Sequence, residues 1–184
     1  MNDQLYQLLG TLGFAIGGLG LYLLFKFWDT DKSKSISHHA AAGKQSYLLM
    51  AMTESISLAI FLVFTLHWMA TKFSLPTIFN MCCVGIAVGF AMAAWIPVSG
   101  PRGRLHDFFA YTAALLFIPT LGVLASSPNI TIVVRIVDAL VLLILVGLFA
   151  YVKRSEQSRQ SYLYWQLTYV LLFDFAILTT AYFG

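Results

Sequence analysis

Long apolar runs separated by short polar breaks dominate the chain. Six stand out, over 6–28, 46–69, 75–98, 105–125, 130–152 and 161–183. Each supplies the roughly 20 mostly apolar residues that a helix rising about 1.5 Å per residue needs to cross a bilayer. The runs are too long and too continuous for membrane strands, which alternate over about ten residues. The connections are short apart from one polar stretch, 29–45. Nothing is left over for a soluble domain. The pattern predicts an all-α fold, a single domain over 1–184 built as a six-transmembrane-helix bundle.

Composition narrows the function. The 184 residues are 59% hydrophobic and 10% charged, whereas soluble domains run about 45–50% and about 25%. That excludes a soluble globular enzyme, a disordered chain and a nucleic-acid binder. Two cysteines are too few for a disulfide scaffold. Cys82 and Cys83 are adjacent, so on a helix they point in different directions and read as small buried hydrophobes. The first five residues carry Asp3 and no Lys or Arg, so the first run lacks the positive start of a cleaved signal peptide.

Charge sets an expected orientation. Lys32, Lys34, Lys44, Arg102, Arg104, Lys153, Arg154 and Arg159 follow helices one, three and five; the opposite side holds Lys72. Eight against one places the 1–2, 3–4 and 5–6 loops in the cytoplasm and both termini outside. The net charge of +3 is this same bias, and it favours membrane lipids with anionic headgroups as partners over nucleic acid. Trp28, Trp68, Trp95 and Trp165 lie near helix ends, as interface anchors do.

Small residues predict the packing. Gly10, Gly13, Gly17 and Gly20 fall on one face of helix one, and Gly85, Gly89 and Ala93 on one face of helix three. Such stripes let backbones approach closely. The helix-one stripe is either ordinary packing within the chain or the face of a homodimer or of a membrane-protein partner. Pro119 inside helix four removes a backbone donor and predicts a kink there.

Ionisable residues inside the spans need a reason, because each costs a few kcal/mol or more in lipid. Glu54, Arg135, Asp138, Asp174 and His67 are the five. Asp138 and Asp174 lie about 12 and about 14 Å from the outer surface, and Glu54 about 12 Å from the inner one. This predicts one polar core in the outer half of the bundle, between helices two, five and six. Three acids and one arginine leave a net −2, intolerable in a low dielectric without protons, a cation or water. Arg135 is expected to hold Asp138 or Asp174 as a charge-assisted pair. The core is then either a satisfied network fixing helices or a site for a ligand or ion.

Several cofactors are not expected. A retinal protein needs a mid-helix lysine, and Lys26 stands at a helix end. His67 and His106 lie near opposite surfaces, so they cannot share a haem. His38, His39, His106 and Asp107 could gather at one face, but His38 and His39 sit in a loop, and zinc is set aside. No serine-hydrolase elbow is present.

The 3–4 loop runs from Ile96-Pro97 to Gly103-Arg104-Leu105-His106-Asp107. Two prolines and two glycines make a fixed turn, and His106 and Asp107 then open helix four. The bland reading is a helix cap and loop lock. The sharper one is an intramembrane enzyme acting on lipid, with His106 as base, Asp107 as its orienter and Ser99 the nearest nucleophile. Adjacent residues on a helix do not face each other, which weakens that pairing.

These residues resemble an uncharacterised bacterial integral-membrane family, catalogued as domain of unknown function 998. The similarity lies in Ile96-Pro97, in Gly103 to Asp107, in the small residues and proline that follow (Ala110, Ala113, Ala114, Pro119), and in Arg135. The chain departs from it at Ser37-His38-His39-Ala40, where a Ser-Asp-Tyr-like stretch is usual, and lacks an acid after the first proline of the 3–4 loop. The resemblance implies a protein of the bacterial cytoplasmic membrane and carries no activity with it. Three functional classes follow from the residues. They are binding of a lipid, small hydrophobic molecule or cation in the polar core, possibly with proton coupling; a structural or accessory subunit; and a lipid-modifying enzyme.

Overall fold

The computed structural model describes residues 2–28, 31–98, 100–154 and 160–184, excepting the side chains of Lys153 and Arg154. Ser99 and Arg159, singled out above, lie outside the described residues. Among the described residues seven helices follow one another: α1 (Asp3–Phe27), α2 (Ile36–Ala40), α3 (Lys44–Lys72), α4 (Thr77–Trp95), α5 (Gly103–Ser126), α6 (Ile132–Arg154) and α7 (Tyr162–Phe183). Among the described residues there is no strand. All but α2 are long and apolar enough to cross a membrane, and the fold is that of an integral membrane protein. Large apolar side chains such as Leu8, Met81, Val133 and Leu143 stand exposed around the bundle, where acyl chains can cover them. Both termini share one end, called the terminal end below. The opposite, basic end carries the α1–α3, α4–α5 and α6–α7 connections.

Local chemistry sets the helix ends. The Asn2 side chain accepts from the Leu5 N–H at 3.0 Å and caps α1, satisfying one of the donors a helix start leaves free. At the start of α3, the Ser46 hydroxyl accepts from the Gly43 N–H at 2.9 Å and donates to the Ala40 carbonyl at 2.8 Å. That fastens α2 to α3. The short α2 lies inside the stretch read from sequence as a polar connection. Its Ser35 accepts from the His38 N–H as an N-cap.

One feature of the spans differs from expectation. Residues Val63–Met69 of α3 form a π turn, where the sequence predicted uninterrupted α-helix. The Thr65 hydroxyl bonds the Phe61 carbonyl there at 2.8 Å, taking the acceptor an α turn would offer the Thr65 N–H. Pro119 lies inside α5, which runs on as helix to Ser126.

Packing follows the small residues. On α1, a Cβ at Gly10 would meet the Phe64 ring, at Gly13 Ile60, at Gly17 the Ser57 hydroxyl and at Gly20 Thr53. All four glycines therefore face α3 of the same chain. On α4, Gly85 and Gly89 face Leu116 and Ala113 of α5. The centre is aromatic: Phe117 of α5 stacks on Phe173 of α7 with centroids 3.7 Å apart, and Phe61 of α3 lies 6.4 Å from Phe173. At the terminal end, Asp3 accepts from Trp68 Nε1 at 2.9 Å and pairs with Lys72 at 3.0 Å. This clamps α1 to the end of α3.

Candidate functional site: two acids in a membrane cavity

Glu54 stands ten residues into α3 and Asp174 twelve into α7. By helical rise they sit about 15 and about 18 Å from the basic ends of their helices, near one level. Both line one cavity of about 410 Å³. Its walls include Gly17 of α1, Ser57 and Phe61 of α3, Phe117 of α5 and Phe173 of α7, and hold no Lys, Arg or His. The two carboxyl groups come from different helices and share this one space. Among the described residues neither accepts a hydrogen bond, and the ion pairs are Lys34–Asp31 and Lys72–Asp3, both away from this cavity. Two unpaired acids in an apolar wall cannot both stay charged. Each needs a proton, a cation or water beside it.

Glu54 also belongs to a second, larger cavity of about 680 Å³ at the basic end. Leu21, Glu54, Phe90 and Val170 line both spaces. This vestibule carries more polar side chains than the inner cavity, with His106, Asp107, Tyr111, Tyr162, Trp165 and Gln166 in its walls. The segment around α2 also lines it, from Ser33 to Ala41. The Leu163 N–H donates to the Lys32 carbonyl at 3.1 Å, and the Ile36 N–H to Gln166 Oε1 at 3.0 Å. Asp31 secures the start of that segment. Its carboxylate accepts from the Ser33 N–H at 3.0 Å and the Ser33 hydroxyl at 2.6 Å, with Lys34 at 3.3 Å. These contacts, the Ser33 bonds first, hold its pKa down at about 2.

The other three intramembrane positions do not join the two acids. Asp138 is fully buried, and its Oδ2 accepts from the Thr180 hydroxyl at 2.9 Å; Oδ1 has no partner among the described residues. Thr180 follows Asp174 by six residues, about 9 Å along α7 and about 240° around it. Asp138 therefore meets α7 at another level and on another face than Asp174. Nor does Arg135 pair with Asp138 or Asp174: its Nε donates to the Ala125 carbonyl at 3.0 Å. Side chains lean toward their helix N-terminus, so Arg135 reaches away from Asp138 to the end of α5, where a cation suits the helix dipole. His67 is exposed on the bundle surface. The cavity is thus walled by α1, α3, α4, α5 and α7, with its two acids on the second and sixth spans, and the fifth span contributes no lining residue.

The Gly103–Asp107 motif occupies the wall and rim of the vestibule. Gly103 is required by close approach, since a Cβ there would sit 2.5 Å from the Val98 carbonyl oxygen. His106 is buried and its Nδ1 bonds the Ile96 carbonyl at 2.9 Å, tying the start of α5 to the end of α4. Arg104 and Asp107 are exposed, so Asp107 does not orient the buried imidazole. His39 is used within its own loop: Nε2 accepts from the Asp31 N–H at 2.9 Å and Nδ1 bonds the Ser35 carbonyl at 2.8 Å. His38 Nδ1 bonds the Ser35 hydroxyl.

Sequence reasoning missed Ser57, Gln166 and Gly18 of α1. Ser57 carried a usable signal, three residues after Glu54 and so on the same helix face. Gln166 had none, because its role is to receive a loop from elsewhere in the chain. Compared with family models, curated proteins and solved structures, the chain matches none.

Proposed function

We propose that this membrane protein binds a hydrophobic cation in the Glu54–Asp174 cavity, in exchange for protons on the two acids. One observation carries the reading: two unpaired carboxyl groups from different helices share an apolar cavity with no basic side chain in its walls. About 410 Å³ suits a small organic molecule, since ligand pockets run about 300–1,000 Å³. Phe14, Phe61, Phe90, Phe117 and Phe173 supply aromatic faces, which attract a desolvated cation. The vestibule supplies a polar route for protons between Glu54 and the basic end.

The test uses tetraphenylphosphonium, a membrane-soluble cation with no proton of its own, and the protein in lipid nanodiscs. Binding is expected to strengthen as pH rises and to release protons to the buffer. Glu54→Gln and Asp174→Asn each weaken it at least tenfold, and the double variant abolishes it. Asp138→Asn leaves it unchanged. Binding that ignores pH and both inner acids refutes the reading.

An accessory-subunit role through the α1 glycines is less favoured, because Gly10, Gly13, Gly17 and Gly20 already face α3. A lipid-modifying role for His106 is less favoured too, because its ring is buried and tied to the Ile96 carbonyl.

A further inference from the structure

The inner cavity is open on one flank of the bundle. Its lining includes Gly17 and Gly18 of α1 and Leu171 and Phe175 of α7. Gly18 is exposed, and Leu171 and Phe175 are 62% and 54% exposed. They therefore form a rim that reaches the outer surface. Gly18 lies nine residues before Phe27 and Leu171 nine after Tyr162, each about 13 Å from the basic end of its helix. In a hydrocarbon layer of about 30 Å that is close to the midplane.

The gap has a structural cause. Hydrogen bonds between α1 and α7 lie near the terminal end: Gln7 Nε2 donates to the Ala181 carbonyl at 2.8 Å, and the Thr11 and Tyr182 hydroxyls meet at 2.9 Å. Toward the middle, α1 presents Gly17 and Gly18. Gly17 faces Ser57 of α3, and a Cβ at Gly18 would meet nothing within 4 Å. No side chain from α1 closes the flank at that level.

We propose that this flank is a lateral portal, through which a lipophilic cation dissolved in the bilayer reaches Glu54 and Asp174. The inference rests on the cation reading of the site and adds the source and class of its ligand. An opening at midplane depth is presented to acyl chains, so a strongly hydrated ion does not arrive by it. The cavity at the basic end carries polar side chains and shares Leu21, Glu54, Phe90 and Val170 with the inner one. Ligand from the membrane and protons from the basic end thus meet at Glu54 by different paths.

Gly18→Phe tests this cleanly, because the new ring fills open space instead of displacing a neighbour. Gly147→Phe on α6 is the control, at a glycine equally free of neighbours and exposed. In nanodiscs, Gly18→Phe is expected to slow tetraphenylphosphonium association at least tenfold while Gly147→Phe leaves it unchanged. Equal rates in the two variants overturn the portal. A second measurement does not depend on cation binding. A nitroxide on Ser57→Cys, in a Cys82→Ala/Cys83→Ala background, collides with lipid-dissolved oxygen or with a water-soluble nickel chelate. Oxygen collisions are expected to dominate and to fall in Gly18→Phe. If the wild type binds no cation yet oxygen access shows this pattern, the cation reading fails and the portal stands. If nickel collisions dominate and Gly18→Phe changes nothing, the portal fails.

Discussion

Gly10→Ala and Gly18→Ala place the same methyl group on the same helix eight residues apart, and they should have opposite effects on stability. At Gly10 the new Cβ would lie 2.7 Å from Phe64 Cε2 and 2.8 Å from two further ring carbons. Ordinary carbon contacts lie at about 3.5–4.0 Å, so the overlap approaches 1 Å. The ring has no room to retreat: Phe64 is fully buried and stacks on Trp68 with centroids 5.3 Å apart. Overpacking of this kind costs about 1–3 kcal/mol. Replacing glycine by alanine in a helix returns up to about 1 kcal/mol, and that gain is common to both variants. Their difference therefore isolates the packing cost, about 1–3 kcal/mol, with Gly18→Ala at or slightly above wild type. Unfolding in mixed micelles of SDS and a mild detergent, followed by tryptophan fluorescence, measures both. Phe64→Leu should partly rescue Gly10→Ala, giving a coupling of at least about 0.5 kcal/mol in the double-mutant cycle. Equal stabilities for the two alanine variants, or additivity with Phe64→Leu, would refute the account of α1 packing on α3.

Two further outcomes test other parts of the structure. Asp138→Asn keeps an acceptor for the buried Thr180 hydroxyl and should stay within about 0.5 kcal/mol of wild type, whereas Asp138→Leu strands that hydroxyl and should cost about 1–3 kcal/mol. The same micelle titration reads both, and equal costs would show that the Thr180 bond contributes nothing. Asp31 has its pKa lowered from 3.8 to about 2, so its hold on Ser33 is complete above the higher value and lost as pH falls through the lower one. Hydrogen exchange at the Ser33 amide should show protection at pH 4 that disappears near pH 2, and that is absent at both in Asp31→Ala. Protection already fading between pH 5 and 4 would mean that the carboxylate is not held in this way.

Much of the architecture was legible because lipid imposes one rule at every position. Backbone groups in hydrocarbon must bond within the helix, so an apolar run of about 20 residues has a single outcome. The six runs accordingly match the six long helices to within three residues at each end. The glycine stripes were equally legible, since a small face on a membrane helix predicts a close neighbour. Which neighbour it was needed the fold: the α1 stripe meets Phe64, Ile60, Ser57 and Thr53 of α3. The short α2 escaped notice because its five residues have too little length to show a period.

The candidate site was only half legible. Glu54 and Asp174 stood out in the sequence because a carboxyl group at midspan is costly, and that cost is a property of one residue in one helix. Asp138, Arg135 and His67 stood out for the same reason, yet they point elsewhere. Depth along a helix follows from residue count, but direction around it, and which helices lie beside it, follows from how the spans pack. The chain's composition and periodicity therefore determined a helical membrane protein with acids inside its spans. Packing decided that two of those acids share a cavity, that Asp138 is satisfied by Thr180 instead, and that Arg135 ends on the Ala125 carbonyl. It also left α1 and α7 parted at the level of the acids, because contacts between helices are long-range and no local pattern encodes them.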